Sequence, residues 1–270
     1  MYLLNPILIY QKKEALTQDV IKIINDCHFE QTKMEPLLSN NIKRLLLIIF
    51  IHSLKQSNRL VISENTTIWE NGNNYLRVIP GDIFKYGFDK RNKDRRIVVI
   101  PVNTSFETRI TYDTERNRIP YVSAESLHGN FLSRVYKGGT QQSELKKRIL
   151  KSLGIKDSDL PTSIGAVASL FFDPVIFYLL AVSDFDNENV AHSNLSNIET
   201  AIGELITYYD KKGQGFNVYI PLIGTGLSRA YLSNQESYEV IKEALLKRKA
   251  KLQGKINIVI LPEIFQKIEL

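Results

Sequence analysis

Residues 97–103 read IVVIPVN, an apolar run too unbroken for a strand with one face in water. A half-exposed strand alternates apolar and polar residues, so a continuous run calls for cover on both faces. That requirement sets the expected architecture: helices on both sides of a sheet. A chain of 270 residues is long enough to supply them, as one large domain with or without a small appendage.

The sequence from about residue 58 onward provides the layers. Arg59–Ser63, Thr66–Glu70 and Tyr75–Pro80 are further strand candidates, rich in β-branched residues. Ser126–Tyr136 reads as a helix opened by the His128-Gly129 turn, and Ser143–Leu153 as another, closed by Gly154. Val167–Phe172 and Val175–Ser183, joined at Asp173-Pro174, form an expected antiparallel hairpin. Ser196–Lys212 places Ile198, Ala201, Ile202, Leu205, Ile206 and Tyr209 on one helical face, with Gly213 behind it. Phe216–Ile223 is a strand. Ser233 and Glu236 form a capping box for a helix expected to reach about Gln253, before Gly254 and a last strand, Lys255–Leu261. A hairpin among alternating strands and helices gives a mixed sheet between two helical layers, an α/β/α fold.

Residues 1–57 follow a different pattern. Thr17–His28 carries Val20, Ile23, Ile24 and Cys27 at helical spacing, and Asn41–Leu54 reads as a second, more buried helix. The segment is expected to be a small helical appendage. Its most apolar stretch, LLLIIFI at 45–51, falls well short of the roughly 20 residues of a membrane span. It is not placed or terminated like a secretory signal either.

Composition narrows the partners. Cys27 is the only cysteine, which excludes an internal disulfide and a cysteine-based zinc site and fits a reducing, cytoplasmic setting. The four histidines have no clustered spacing, so no metal site is expected. The net charge of +6 is partly gathered in KRNKDRR (90–96) and KRKAK (247–251), runs that read as a solvated loop and a solvated helix face. No zinc-finger, RNP-type or basic-zipper pattern accompanies them, and the charge suits a small anionic ligand at least as well as a nucleic acid.

In folds of this class ligands sit at the carboxyl ends of strands. Three stretches would meet there: Gly81-Asp82-Ile83, Val102-Asn103, and Gly224-Thr225-Gly226 within PLIGTGLS. A glycine turn before a helix can point backbone N–H groups at an anion. There is no Gly-Lys-Ser/Thr, so no ATPase P-loop, and the third glycine of a dinucleotide fingerprint is missing. Taken singly, the glycine pair is equally a tight strand exit. Asp82 is equally a turn residue, an N-cap, or an acceptor for an exocyclic amine.

Taken together and in order, Pro80-Gly81-Asp82-Ile83, Val102-Asn103 and Pro221–Ser228 resemble signature segments of macro domains, the ADP-ribose-binding α/β/α modules. Within that superfamily, VNTSFET (102–108), SLHGNFLSRVY (126–136), SIGAVASL (163–170) and PLIGTGLSRAYLS (221–233) are similar to the macro-domain form of ThsA, the Thoeris antiphage effector family. The resemblance covers roughly residues 58–270.

This resemblance implies a receptor for an ADP-ribose-derived nucleotide signal made by a TIR-domain partner, with no bound cofactor. Asp82 would accept from the adenine amine, with Ile83 near the base, and Asn103 would support the distal ribose. His128, Gly129 and Asn130 stand where the family's glycine-rich first phosphate loop cradles the diphosphate. Gly224, Thr225, Gly226, Leu227 and Ser228 would wrap its other side, with Arg229 either on phosphate or solvated. Residues 104–122 would wall the distal ribose, and self-association or the appendage would relay occupancy. Hydrolytic macro domains carry a second asparagine where this chain has Phe106, so binding without chemistry is expected, and no catalytic residue is assigned. An ADP-ribosyl hydrolase using His128 or a neighbouring glutamate is the alternative; single glutamates such as Glu107 and Glu125 read as solvated. The family's macro-domain effectors usually place transmembrane helices before this domain, a pattern residues 1–57 do not repeat.

Overall fold

The computed structural model describes residues 65–89, 91–111, 122–186, 190–226, 230–248 and 254–270. The chain divides into two units, Met1–Val61 and Ile62–Leu270. The helical appendage expected over residues 1–57 and the strand expected over 59–63 lie outside the described residues.

In chain order the elements are β1 (Thr66–Asn71), β2 (Asn74–Pro80), α1 (Ile83–Phe88), β3 (Arg96–Asn103), β4 (Ile110–Thr111), β5 (Val122–Ser123), α2 (Leu127–Lys137) and α3 (Gln142–Leu153). There follow β6 (Val167–Phe172), β7 (Val175–Phe185), β8 (Ala191–His192), α4 (Leu195–Lys212), β9 (Asn217–Pro221), α5 (Asn234–Leu246), β10 (Lys255–Ile260) and α6 (Pro262–Phe265). The main sheet runs β1-β2-β10-β9-β3-β7-β6. Its inner five strands, β2, β10, β9, β3 and β7, are mutually parallel. The two outer strands are antiparallel to their neighbours, β1 to β2 and β6 to β7, so the sheet is mixed as expected.

The apolar run at β3 behaves as its composition requires: Ile97, Val98, Val99 and Ile100 have no exposed surface. Side chains alternate between the two faces of a strand, and here each face has its own core. Ile97 and Val99 join one cluster with Tyr178, Leu180 and Val182 of β7, beneath α4 and α5. Val98, Ile100 and Val102 join the other with Phe177, Leu179 and Ala181, beneath α1, α2 and α3. Burying each of these Val, Leu and Ile side chains is worth about 1.5–3 kcal/mol.

The α4 stripe read from the sequence, Ile198, Ala201, Ile202, Leu205, Ile206 and Tyr209, is buried in full. Asn194 caps that helix by accepting from the Asn197 N–H at 2.9 Å. The Ser233–Glu236 capping box opens α5. That helix stops at Leu246, with Lys247 as its C-cap, earlier than the expected Gln253. The ends of the polar excursion after β3 are tied together, because β4 and β5 pair in parallel through Ile110 with Val122 and Thr111 with Ser123.

The basic run 90–96 is not simply a solvated loop. Arg96 is 1% exposed. Its guanidinium donates to the carbonyl oxygens of Tyr86 and Asp89 on one side and of Asn92 and Asp94 on the other. One cation thus gathers the end of α1 and the loop that returns to β3. Arg91 remains exposed and pairs with Asp89. Arg96→Met should lower stability by about 3 kcal/mol, because four part-buried carbonyls lose a charged donor. Urea unfolding at neutral pH checks this; a loss below about 1 kcal/mol would show that water replaces the guanidinium without penalty.

Candidate functional site

With five parallel strands side by side, the ends of β2, β10, β9, β3 and β7 lie along one edge. The three predicted stretches leave that edge in the spatial order Asp82, Gly224, Asn103. At about 4.8 Å between neighbouring strands, Asp82 and Asn103 stand roughly 14 Å apart along it, with the Gly224 turn between them.

At the β2 end, the Gly81 N–H donates to the Ile260 carbonyl at 2.7 Å, fastening the exits of β2 and β10 together. Asp82 then caps α1: its Oδ1 accepts from the Phe84 N–H at 2.9 Å. One oxygen of this half-buried carboxylate is committed to the backbone, which fixes the direction of the other. Ile83 is 4% exposed and packs with Phe84 in the core beneath α1, α2 and α3, so its side chain is not offered to the edge as expected.

At the β3 end the chain turns back at once. Asn103 is buried, its backbone carbonyl accepting from the Phe106 N–H at 3.0 Å and its Oδ1 from the Glu107 N–H at 3.2 Å. Thr104 ties this turn to β7 by donating to Asp184 Oδ1 at 2.6 Å. Phe106 has a left-handed φ of 46°, a strained conformation for an aromatic residue, and its ring is fully buried. It therefore presents no polar group at this turn.

Glu107 departs from the solvated role expected of it. It is 8% exposed and accepts from the Thr108 and Arg109 N–H groups, each at 2.8 Å, and from Arg109 Nε at 2.9 Å and Nη2 at 2.6 Å. Burial pushes this carboxyl up, but the bonds from Arg109 more than offset it, and the group titrates below its ordinary range. The sequence signal was the Glu107-Thr-Arg109 spacing, which brings the two side chains together across a tight turn. Glu125 is exposed as read.

His128, Gly129 and Asn130 do not form a loop of successive donors. They occupy the first turn of α2, which Ser126 rather than the His128-Gly129 pair opens. Ser126 Oγ accepts from the Gly129 N–H at 2.9 Å and donates to the Ser123 carbonyl at 2.7 Å; its own carbonyl accepts from the Asn130 N–H at 2.9 Å. Gly129 is required by space, since a Cβ there would lie 2.0 Å from the Ser123 oxygen. Asn130 Oδ1 accepts from Arg134 Nε at 2.8 Å, and that guanidinium lies over the Phe84 ring at 4.7 Å. What remains for an anion is the helix terminus itself: the Leu127 and His128 N–H groups have no acceptor within the helix, and the macrodipole is positive there.

At the β9 end, Ile223 is held by Ser237 of α5, whose Oγ accepts from its N–H at 3.0 Å and donates to its carbonyl at 2.7 Å. Gly224 follows with φ +90°, and a Cβ on it would meet Ile198 at 2.5 Å. Thr225 and Gly226 are exposed. Leu227, Ser228 and Arg229 lie outside the described residues. Ser237 was not singled out from the sequence, although a serine four residues before Ile241 on an otherwise apolar helical face was visible there.

A cavity of about 340 Å³ opens at the opposite edge, lined by Asn73, Asn74, Tyr209, Asp210, Gln214 and Lys255 among others. The carboxyl end of α4 lies there, and its partial negative charge disfavours phosphate.

The His128 side chain is 5% exposed, and its Nε2 has no hydrogen-bond partner. Burial depresses its pKa to about 3, against a smaller upward pull from Glu107. From an ordinary value of 6.5 down to about 3, the unfolded chain binds a proton at this residue that the folded chain refuses. Stability should therefore fall as pH is lowered through that window, by up to about 1.4 kcal/mol per pH unit. His128→Gln should reduce that slope. Urea unfolding of both proteins at pH 7 and pH 5 checks this; equal slopes would place the imidazole in water.

Among the described residues no helix is long and apolar enough to cross a membrane, and no group of three or more His, Cys, Asp and Glu side chains could hold a metal ion. Residues 76–261 match the family model described as Thoeris protein ThsA, Macro domain. A curated relative, Thoeris protein ThsA of Bacillus amyloliquefaciens (strain Y2), is 27% identical over 203 residues, which are 69% of this chain and 62% of that protein. The chain thus spans less than two thirds of the relative's length. Among solved structures, a mutant macrodomain of Oceanobacillus iheyensis aligns with TM-score 0.48 and 12% identity, covering 76% of this chain and 95% of that one. The same macrodomain with ADP aligns with TM-score 0.44 and 14% identity, again covering 76% and 95%. With more than half of its length matched by the family model, and with the mixed sheet between two helical layers already in view, the chain belongs to the ThsA macro-domain family.

Proposed function

We propose that this protein is an antiphage-defence receptor that binds an ADP-ribose-type nucleotide signal, the product of a TIR-domain partner, and does not hydrolyse it. The observation that carries the reading is the order of groups along the carboxyl edge. An aimed carboxylate oxygen at Asp82 comes first, a left-handed glycine turn at Gly224 next, and the buried Asn103 turn beside the α2 terminus last. Adenine, diphosphate and distal ribose follow one another in the same order in ADP-ribose. The carboxylate would accept from the adenine amine, and the N–H groups around Gly224 and the start of α2 would face the diphosphate.

Binding without turnover is favoured by the groups near the ribose end. A general base needs a free lone pair and a pKa near the working pH. Glu107 has its carboxylate occupied by four donors and is held ionised. His128 is buried, with its pKa depressed to about 3. Phe106 is turned into the core. None of the three is placed to activate water.

Calorimetry with ADP-ribose, and with ADP-ribose carrying an amino-acid or base substituent on the distal ribose, tests the reading. Saturable binding is expected. Asp82→Asn keeps an oxygen to cap α1 but sets an amide donor against the adenine amine, and should weaken binding by tenfold or more, on the order of 10- to 100-fold. No binding of any of these compounds to the wild-type protein would refute the receptor. Release of free ADP-ribose from an ADP-ribosylated substrate at catalytic protein concentration would favour the hydrolase instead.

A further inference from the structure

Ser237 lies on the buried face of α5, with no exposed surface, among Tyr238, Ile241, Ala244 and Leu245. A hydroxyl in such a place is costly unless bonded. It finds both partners on one residue, accepting from the Ile223 N–H at 3.0 Å and donating to the Ile223 carbonyl at 2.7 Å. β9 has ended two residues earlier, at Pro221, so the strand ladder no longer supplies partners at this point. The side chain of α5 stands in for the missing strand.

Gly224 comes next, and Ile198, Ala230 and Leu232 crowd the space where its Cβ would be. The direction in which the turn leaves the sheet is set by that packing and by the plane of the Ile223 peptide groups. Ser237 holds the peptide unit on each side of Ile223.

We propose that Ser237 is a positioning residue for the Gly224–Gly226 turn, orienting its backbone N–H groups toward the diphosphate of the ligand. The inference rests on the nucleotide-receptor reading and adds to it the buried residue through which phosphate affinity is set. Ser237 acts through Ile223 and does not touch the ligand.

A positioning role and a purely structural one differ in which part of the ligand feels the loss. Ser237→Ala should weaken ADP-ribose, measured by calorimetry, by about tenfold, since small displacements of aligned donors cost that much or more. Adenosine, which has no phosphate, should keep its affinity within about twofold by ligand-observed NMR, because donors to phosphate are not used. Equal losses for the two ligands, or undiminished ADP-ribose affinity in a folded variant, would overturn the proposal. If Ser237→Ala does not fold, Ser237→Thr keeps the hydroxyl and should retain ADP-ribose affinity, whereas Ser237→Cys, a weak donor and acceptor, should lose it. Equal affinity in that pair would also overturn the proposal. Wild-type protein that binds neither ligand would overturn the receptor reading itself and this inference with it, a result distinct from any seen only in the variants.

Discussion

Everything in this domain is arranged around two strands that have no side facing water. β3 and β7 pair over Arg96–Asn103 with Val175–Ser183, and their successive residues feed two separate cores. Backbone groups buried on both faces can be satisfied only sideways, within the sheet. That requirement draws β9 against β3, β10 against β9 and β2 against β10, all in one direction. Parallel strands need crossovers over the faces, and the helices that make them supply the cover. The shared direction also brings the strand exits, the glycine turn and the α2 terminus to a single edge. The location of the candidate site is thus a by-product of how the core is closed.

Much of this was legible because the sequence patterns are strong. The IVVIPV run, the six-residue stripe of α4 and the Ser233–Glu236 box each name an element through one physical rule, and each element is present. What escaped depends on very short elements, on a charged side chain turned inward to backbone carbonyls, or on partners distant in sequence. α1 is only six residues and contains Gly87, too short for any periodicity to show. Arg96 was hidden in a run of basic residues, although it alone meets four carbonyls. Gly254 does not stop α5 as expected: its N–H and carbonyl are joined to Asn74 and Tyr75 at the start of β2.

The site was read less completely than the fold. Motif order placed Asp82, Asn103 and Gly224 at one edge, and the sheet order agrees. Side-chain orientation was beyond the motifs. Ile83 and Phe106 point into the core, His128 is packed away, and the trio 128–130 is a helical turn with Ser126 as its cap. A string of residues shows which ones can meet an anion, but not which of them the core has already claimed. Where both occur in one segment, as at Phe106-Glu107, burial and local hydrogen bonding decide.

Asp82 carries a consequence of a different kind. Its carboxylate is immobilised by the first turn of α1 before any ligand arrives, so its rotamer freedom is lost when the chain folds and not on association. The same bond couples two properties that could have been independent. A substitution that re-aims the free oxygen must either release the helix cap or find another residue to provide it. The direction of the free oxygen is therefore held in check by the stability of a six-residue helix.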